Sequence, residues 1–254
     1  MKQILRILFM AVFVLGAVNA FGQGSTTSSL SGKVVDEKGE PIPGATVLAV
    51  HTPTGSQFGN VTNPDGYFRI ANMAVGGPYK VSISFVGYQT FERNDVNLSL
   101  GQVFKLNATL KEESTELAEV LITSSKGDVF DNARTGAETI VAKELVANLP
   151  NVTRDLSDFT RLTPQASLAG GGISIAGQNN RYNAIFIDGA VNNDVFGLAG
   201  NGQNGGQVGI SPISVDAIEQ FQVVVSPYDV TQGGFAGGGI NAVTRSGTNE
   251  FEGS

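Results

Sequence analysis

The chain has 254 residues and a net charge of −7, with 16 Lys and Arg against 23 Asp and Glu. No basic cluster follows the first few residues, which removes the electrostatic footprint of a nucleic-acid-binding protein. The complete lack of cysteine excludes disulfides, thiolate metal sites, cysteine nucleophiles and the attachment residue of a lipoprotein.

Lys2 and Arg6 precede an almost wholly apolar run from Ile7 to Val18, and Val18-Asn19-Ala20 ends on a small residue. This is the layout of a secretory signal peptide over residues 1–22. The run is shorter than the roughly 20 apolar residues that a membrane-spanning helix needs. The mature chain is therefore expected to be exported.

Residues 25–110 show short alternating runs separated by turn residues, the pattern of a β-sandwich of about seven strands. Tyr79, Val81, Ile83 and Phe85 place an apolar side chain at every second position, as do Phe104, Leu106, Ala108 and Leu110. Turns are expected at Asp36-Glu37-Lys38-Gly39, Pro43-Gly44, Asn63-Pro64-Asp65-Gly66 and Gly76-Gly77-Pro78. The stretches SGKVVDEKGEPIPGATVLA, VTNPDGYFRI and YKVSISFVGYQTF resemble the carboxypeptidase-regulatory-like domain, a transthyretin-like sandwich found ahead of many Bacteroidetes-type outer-membrane receptors. The resemblance implies an all-β transthyretin/Ig-like sandwich with Tyr67, Phe68 and Ile70 feeding its core. It implies no peptidase activity.

Residues 111–131 turn polar and charged around one β-prone run, Val120-Leu121-Ile122-Thr123. On the residues alone this is a linker carrying one strand-sized insert. Such a segment can also add itself as a strand to the sheet edge of a partner. Beyond it, Ala142 to Leu149 holds good helix formers ahead of Pro150, and Asp155 to Leu162 forms a second helical stretch before Pro164. Asp155 and Asp158 lie one turn apart, and acids at a helix start explain them without a paired-carboxylate site.

The last third is rich in Gly and Asn. Ile173 to Ala176, Asn183 to Gly189 and Ile218 to Val225 read as strands, the last of them ending at Pro227, so an α+β domain is expected. Four motifs follow in order: ELVANLP, the turn Ile187-Asp188-Gly189, the run Val215 to Glu219, and Gly238-Gly239-Ile240-Asn241-Ala242-Val243-Thr244. Together they resemble the plug of TonB-dependent receptors, specifically the Oar-like branch. The resemblance implies a plug domain over residues 132–246 and, over residues 247–254, the start of a first barrel strand. A barrel of some 22 strands of about ten residues each has no room in this sequence, which is expected to hold only the N-terminal part of a receptor.

The same resemblance assigns roles. Glu119, Val120, Leu121, Ile122 and Thr123 become a candidate TonB box, with TonB, energised by its inner-membrane ExbB–ExbD complex, as partner. Gln178, Asn179, Asn180, Arg181, Asn192, Asn193 and Asp194 become substrate-facing loop residues, for which ordinary turn chemistry is the alternative. Asp188 and Gly189 form a plug turn able to close a hairpin. The implied location is the outer membrane, with this portion periplasmic and inside the barrel lumen, and the implied function is gating of TonB-driven substrate uptake. The alternative is a non-transporting exported surface or periplasmic protein that uses the sandwich for protein or glycan contact.

No enzyme is expected. Gly200-Asn201-Gly202-Gln203-Asn204-Gly205 fits a dinucleotide pattern formally but lacks the flanking strand and helix. The single histidine, His51, has no nucleophile-elbow motif near it. The oxygen-rich group Asp188, Asn192, Asn193 and Asp194 lacks the spacing of an EF-hand loop, so neither a metal nor a cofactor is expected.

Overall fold

A computed structural model describes residues 25–113, 136–142, 145, 156–168, 172–194, 196–200, 202–208, 213–227, 233–248 and 251. The expected signal peptide at 1–22, the candidate TonB box Glu119–Thr123, Asp155 and, apart from Leu145, residues 143–149 of the first expected helix lie outside them. Ala142, expected to open that helix, ends a strand instead.

The first domain has eight strands: β1 (Ser28–Val35), β2 (Thr46–His51), β3 (Gln57–Val61), β4 (Tyr67–Met73), β5 (Gly76–Ser84), β6 (Phe91–Leu98), β7 (Val103–Lys105) and β8 (Ala108–Thr109). One sheet runs β4-β1-β7 with β8 also on β1, the other β3-β2-β5-β6, and a single core draws on both. Alternation decides which side chains enter it. Tyr79, Val81 and Ile83 on β5 are fully buried, while Lys80 and Ser84 between and beyond them are exposed. The Tyr79 hydroxyl donates to the Ala74 carbonyl at 2.9 Å, and burial pushes its phenol up to about 12.

Three sequence readings change. Tyr67 does not feed the core: Phe68 and Ile70 share the inner face of β4, so Tyr67 faces solvent beneath the Lys33 ammonium, 5.2 Å from its ring centre. Gly76-Gly77-Pro78 is the start of β5 rather than a turn. The stripe from Phe104 to Leu110 is divided between β7 and β8, both parallel to β1, because Leu106 and Asn107 leave the ladder between them. Even so, Leu106, Ala108 and Leu110 are buried.

The second domain contains β9 (Gly136–Ala142), a short helix α1 (Leu156–Thr160), a two-stranded ribbon of β10 (Ala166–Ser167) and β11 (Ser174–Ile175), then β12 (Ala184–Ile187), β13 (Ala190–Val191), β14 (Ile218–Pro227) and β15 (Gly239–Thr244). Its main sheet has the order β13-β12-β15-β14-β9, with β12 parallel to β15 and the other pairs antiparallel. Phe221 and Val223 of β14 face a core that includes Val141, Ile175, Ile185 and Ile240. Phe159 of α1 meets Phe221 edge-on, ring centres 5.8 Å apart. The architecture is an all-β sandwich followed by an α+β domain, with no closed barrel among the described residues. Gly247, Thr248 and Phe251, expected to lead into a barrel strand, belong to no strand, and Phe251 is fully exposed.

The sandwich depends on one close approach. Gly32 of β1 lies so near the Leu106 carbonyl that a Cβ would overlap it, and Leu106 N–H donates to Ser31 O at 2.8 Å on the same side. Gly32→Ala is expected to cost about 1–3 kcal/mol through forced separation of the strands. Thermal unfolding followed by circular dichroism checks it, and an unchanged midpoint would contradict the packing described.

Candidate functional site

The oxygen- and amide-bearing residues of the second domain gather at one group of loops. Asn179 caps a single 3-10 turn, Asn180–Tyr182, its Oδ1 accepting from Arg181 N–H at 3.1 Å. The Asn180 amide donates to the carbonyls of Ala199 and Gly200 at 3.3 and 3.2 Å, and Arg181 Nη2 donates to Gly197 O at 3.3 Å. These bonds clip the 197–200 loop against the 178–181 loop. Gly172, Ser174, Gly177 and Gln178 complete the walls of an open cleft of about 470 Å³.

Its edge is formed under strain. Ala176 (φ 53) and Gly177 (φ 77) are both left-handed in the two-residue turn closed by Gln178 N–H donating to Ile175 O at 3.0 Å. Glycine adopts that conformation freely, whereas alanine pays about 1–2 kcal/mol for it. The turn projects the Gln178 side chain, whose amide makes no hydrogen bond to another described residue. Strain of this kind persists where the surroundings over-determine it, and ligand sites are one such setting.

The expected loop residues therefore divide. Gln178, Asn179 and Asn180 line the cleft; Arg181 supports it from behind. Asn193 and Asp194 build the adjoining loop. Asn193 Oδ1 accepts from Ile185 N–H at 2.6 Å, and the Asp194 carboxylate receives the N–H groups of Phe196 and Ala199. Asn192 enters through its main chain, its N–H donating to Ile185 O at 2.7 Å. Sequence reasoning missed the cleft's other walls, Gly172, Ser174 and Gly197 to Gly200. Their signal was only glycine density, which marks loops in general.

Asp188 (φ 49) and Gly189 (φ 80) make the two-residue turn from β12 into β13. The Asp188 carboxylate accepts from Thr244 N–H at 2.9 Å and from Thr244 Oγ1 at 2.8 Å, fastening the hairpin to the end of β15. Both Asp188 carboxylate oxygens are thus engaged by Thr244. His51, buried at the end of β2, bonds Thr54 Oγ1 at 2.7 Å and stacks on Tyr79, and burial lowers its pKa. It is a packing residue.

Residues 29–111 match the carboxypeptidase regulatory-like domain, and residues 131–240 match the TonB-dependent receptor plug domain. The two domain matches together support a portion of a TonB-dependent receptor. It is 28% identical over 245 residues to the TonB-dependent transporter Oar of Myxococcus xanthus, covering 92% of this chain and 22% of that protein. It is 32% identical over 137 residues to the TonB-dependent receptor SusC of Bacteroides thetaiotaomicron, covering 54% of this chain and 12% of that one. The chain thus spans less than a quarter of the length of either relative. Among solved structures, the catechol 1,2-dioxygenase of Acinetobacter radioresistens overlaps 36% of this chain and 53% of its own at 13% identity, with a TM-score of 0.29. A 3-chlorocatechol 1,2-dioxygenase from Rhodococcus opacus overlaps 36% and 62% at 11% identity with the same TM-score. Likeness at that level carries no argument. The sandwich is the regulatory-like domain, and the mixed sheet with its cleft belongs to the plug domain.

The plug's loop has a pH signature. Hydrogen bonds from main-chain N–H groups, that of Ala199 foremost, hold the Asp194 carboxyl below its ordinary value near 3.8. A depressed folded-state pKa means that the stabilisation is present above the unfolded value and is lost as pH falls through the folded one. Acidification below about pH 4 is therefore expected to loosen residues 194–200. In Asp194→Asn the amide resonances of Phe196 and Ala199, followed by NMR, should lose that titration. An unchanged titration would show that another group governs the loop.

Proposed function

We propose that this chain supplies the periplasmic regulatory-like domain and the gating plug of an outer-membrane transporter whose barrel lies in the rest of the receptor. The match of residues 131–240 to a plug domain, joined to a polar cleft built on that domain's loops, is the observation that carries the reading. Ligand enters on the cleft side and meets Gln178, Asn179 and Asn180. Among the described residues the cleft's lining holds Gly, Ser, Gln, Asn, Leu and Ala but no ionisable side chain, which suits an uncharged ligand rich in hydrogen-bonding groups.

Glu119, Val120, Leu121, Ile122 and Thr123 serve as the TonB box. TonB, driven by the ExbB–ExbD complex, captures this run by strand addition, with affinity supplied by main-chain hydrogen bonds. Work transmitted through that strand displaces or remodels the plug and opens the lumen. Ligand controls the step only if it binds the state in which the box is offered more tightly than the state in which it is not.

Titration of the exported chain with the C-terminal domain of TonB tests the box. Val120→Pro and Leu121→Pro each remove a main-chain donor from the added strand and should weaken binding at least tenfold, whereas equal affinity would remove the assignment. In the full receptor, Gln178→Ala is expected to weaken ligand binding about 2- to 10-fold, the range of one net hydrogen bond, with the plug's thermal midpoint unchanged. Unchanged ligand affinity would place the ligand elsewhere.

A further inference from the structure

The second face of the plug sheet is polar and buried, which is unusual for a β-sheet surface that carries no ligand. A bulge between Ile218 and Gln220 shifts the phase of β14, so that Ile218, Phe221 and Val223 all enter the plug core. Gln220 and Gln222 then point away from that core, with Asn241 paired directly across from Gln222 on β15. These three side chains are 5%, 1% and 3% exposed. Gln220 and Gln222 meet the regulatory-like domain there, and Asn241 Nδ2 donates to Gln222 Oε1 at 3.4 Å beside them.

The contact is made by the turn Ser99–Gln102. Its frame is fixed from within the sandwich: Gln102 N–H donates to Ser99 O at 3.0 Å, Ser99 N–H to Gln102 Oε1 at 3.0 Å, and Gly101 N–H to Thr27 O at 3.0 Å. The N–H and C=O of Leu100, a central residue of the turn, have no place in that frame and project outward. Both are met by the plug. Leu100 N–H donates to Gln220 Oε1 at 2.7 Å, and Gln222 Nε2 donates to Leu100 O at 3.4 Å. The surfaces lie close elsewhere too: a Cβ at Gly76 would stand 3.1 Å from Glu219 Oε1, and one at Gly101 would make an ordinary 3.9 Å contact with Gln222 Nε2. Leu100 and Val224 are buried but belong to neither domain's core.

We propose that Gln220, Gln222 and Asn241 form a releasable docking surface for the regulatory-like domain, specific for the main chain of the Ser99–Gln102 turn. Among the described residues, neutral hydrogen bonds to the Leu100 main chain and the buried Leu100 and Val224 side chains hold it, less than holds either core together. The chemistry of the face favours release. When the domains part, water satisfies Gln220, Gln222, Asn241 and the Leu100 main chain, whereas exposing Phe221 or Ile240 on the other face would leave apolar surface in water. Asn241 Oδ1 is buried with no hydrogen-bond partner among the described residues, so the docked state is not the one that best satisfies this side chain. The regulatory-like domain thereby acts as a latch on the plug's strand β14. This inference concerns the interface alone and stands whether or not the transport reading does.

Amide hydrogen exchange by NMR on residues 23–254 tests it. The Leu100 amide should exchange about 10- to 1000-fold more slowly than an unprotected amide, as two hydrogen bonds and one buried side chain allow, yet well ahead of core amides such as Val81 and Val223. Gln220→Ala should bring Leu100 to the unprotected rate while Val81 and Val223 keep theirs, so loss of docking is separated from loss of folding. Leu100 protection equal to that of the core amides would overturn release. No protection of Leu100 in the unaltered chain would overturn docking.

Discussion

Strand β14 is the element on which the second domain depends, because it is satisfied on four sides at once. Its two edges are paired, with β15 and with β9, and each face is buried against a different partner. On one face Phe221 and Val223 hold the plug core together through apolar contact, with Phe159 of α1 packed edge-on. On the other, Gln220 and Gln222 engage the neighbouring domain through hydrogen bonds. The two faces carry different energetics. The stabilisation from the apolar face is proportional to area removed from water, whereas the polar face exchanges one set of hydrogen bonds for another and nets little either way. One strand thus joins a permanent contact to a negotiable one.

The sandwich was largely legible in the sequence because a half-buried strand writes its burial as strict alternation. Tyr79, Val81 and Ile83 could be assigned to one face from spacing alone, and the structure buries all three. Tyr67 shows how resemblance can mislead where alternation does not: it lies next to Phe68, and two neighbours on a strand cannot share a face. The split of Phe104 to Leu110 between two strands was not legible, since alternation continues through the break and only the pairing partners on β1 reveal it.

The plug was legible as strands but not as a sheet. Ile218 to Val225, ending at Pro227, announced a strand, and the structure forms it over Ile218–Pro227. Nothing in its sequence says that β12 pairs in parallel with β15 across some fifty residues of intervening chain, because register between distant strands is a tertiary property. The bulge that turns Glu219 and Gln220 out of phase with Ile218 was equally hidden. For the site, residue types in the Gln178 to Asp194 region identified a polar loop cluster. They could not separate residues that face the cleft from residues that build it, because Asn and Asp do both with the same side-chain groups.

That ambiguity explains how the loops work. They contain too little apolar surface for a core of their own, so their order comes from amides and carboxylates spent on main-chain groups: Asn183 ties Ile173 O to Gly238 N–H, Asn180 holds Ala199 and Gly200, Asp194 gathers Phe196 and Ala199, and Asp188 holds Thr244. Each such side chain is consumed by the scaffold and has correspondingly less to offer a ligand. What the scaffold leaves over is the Gln178 amide, at the cleft beside the strained Ala176-Gly177 turn. A polar loop cluster rigidified in this way can present one or two well-placed amides without a deep pocket.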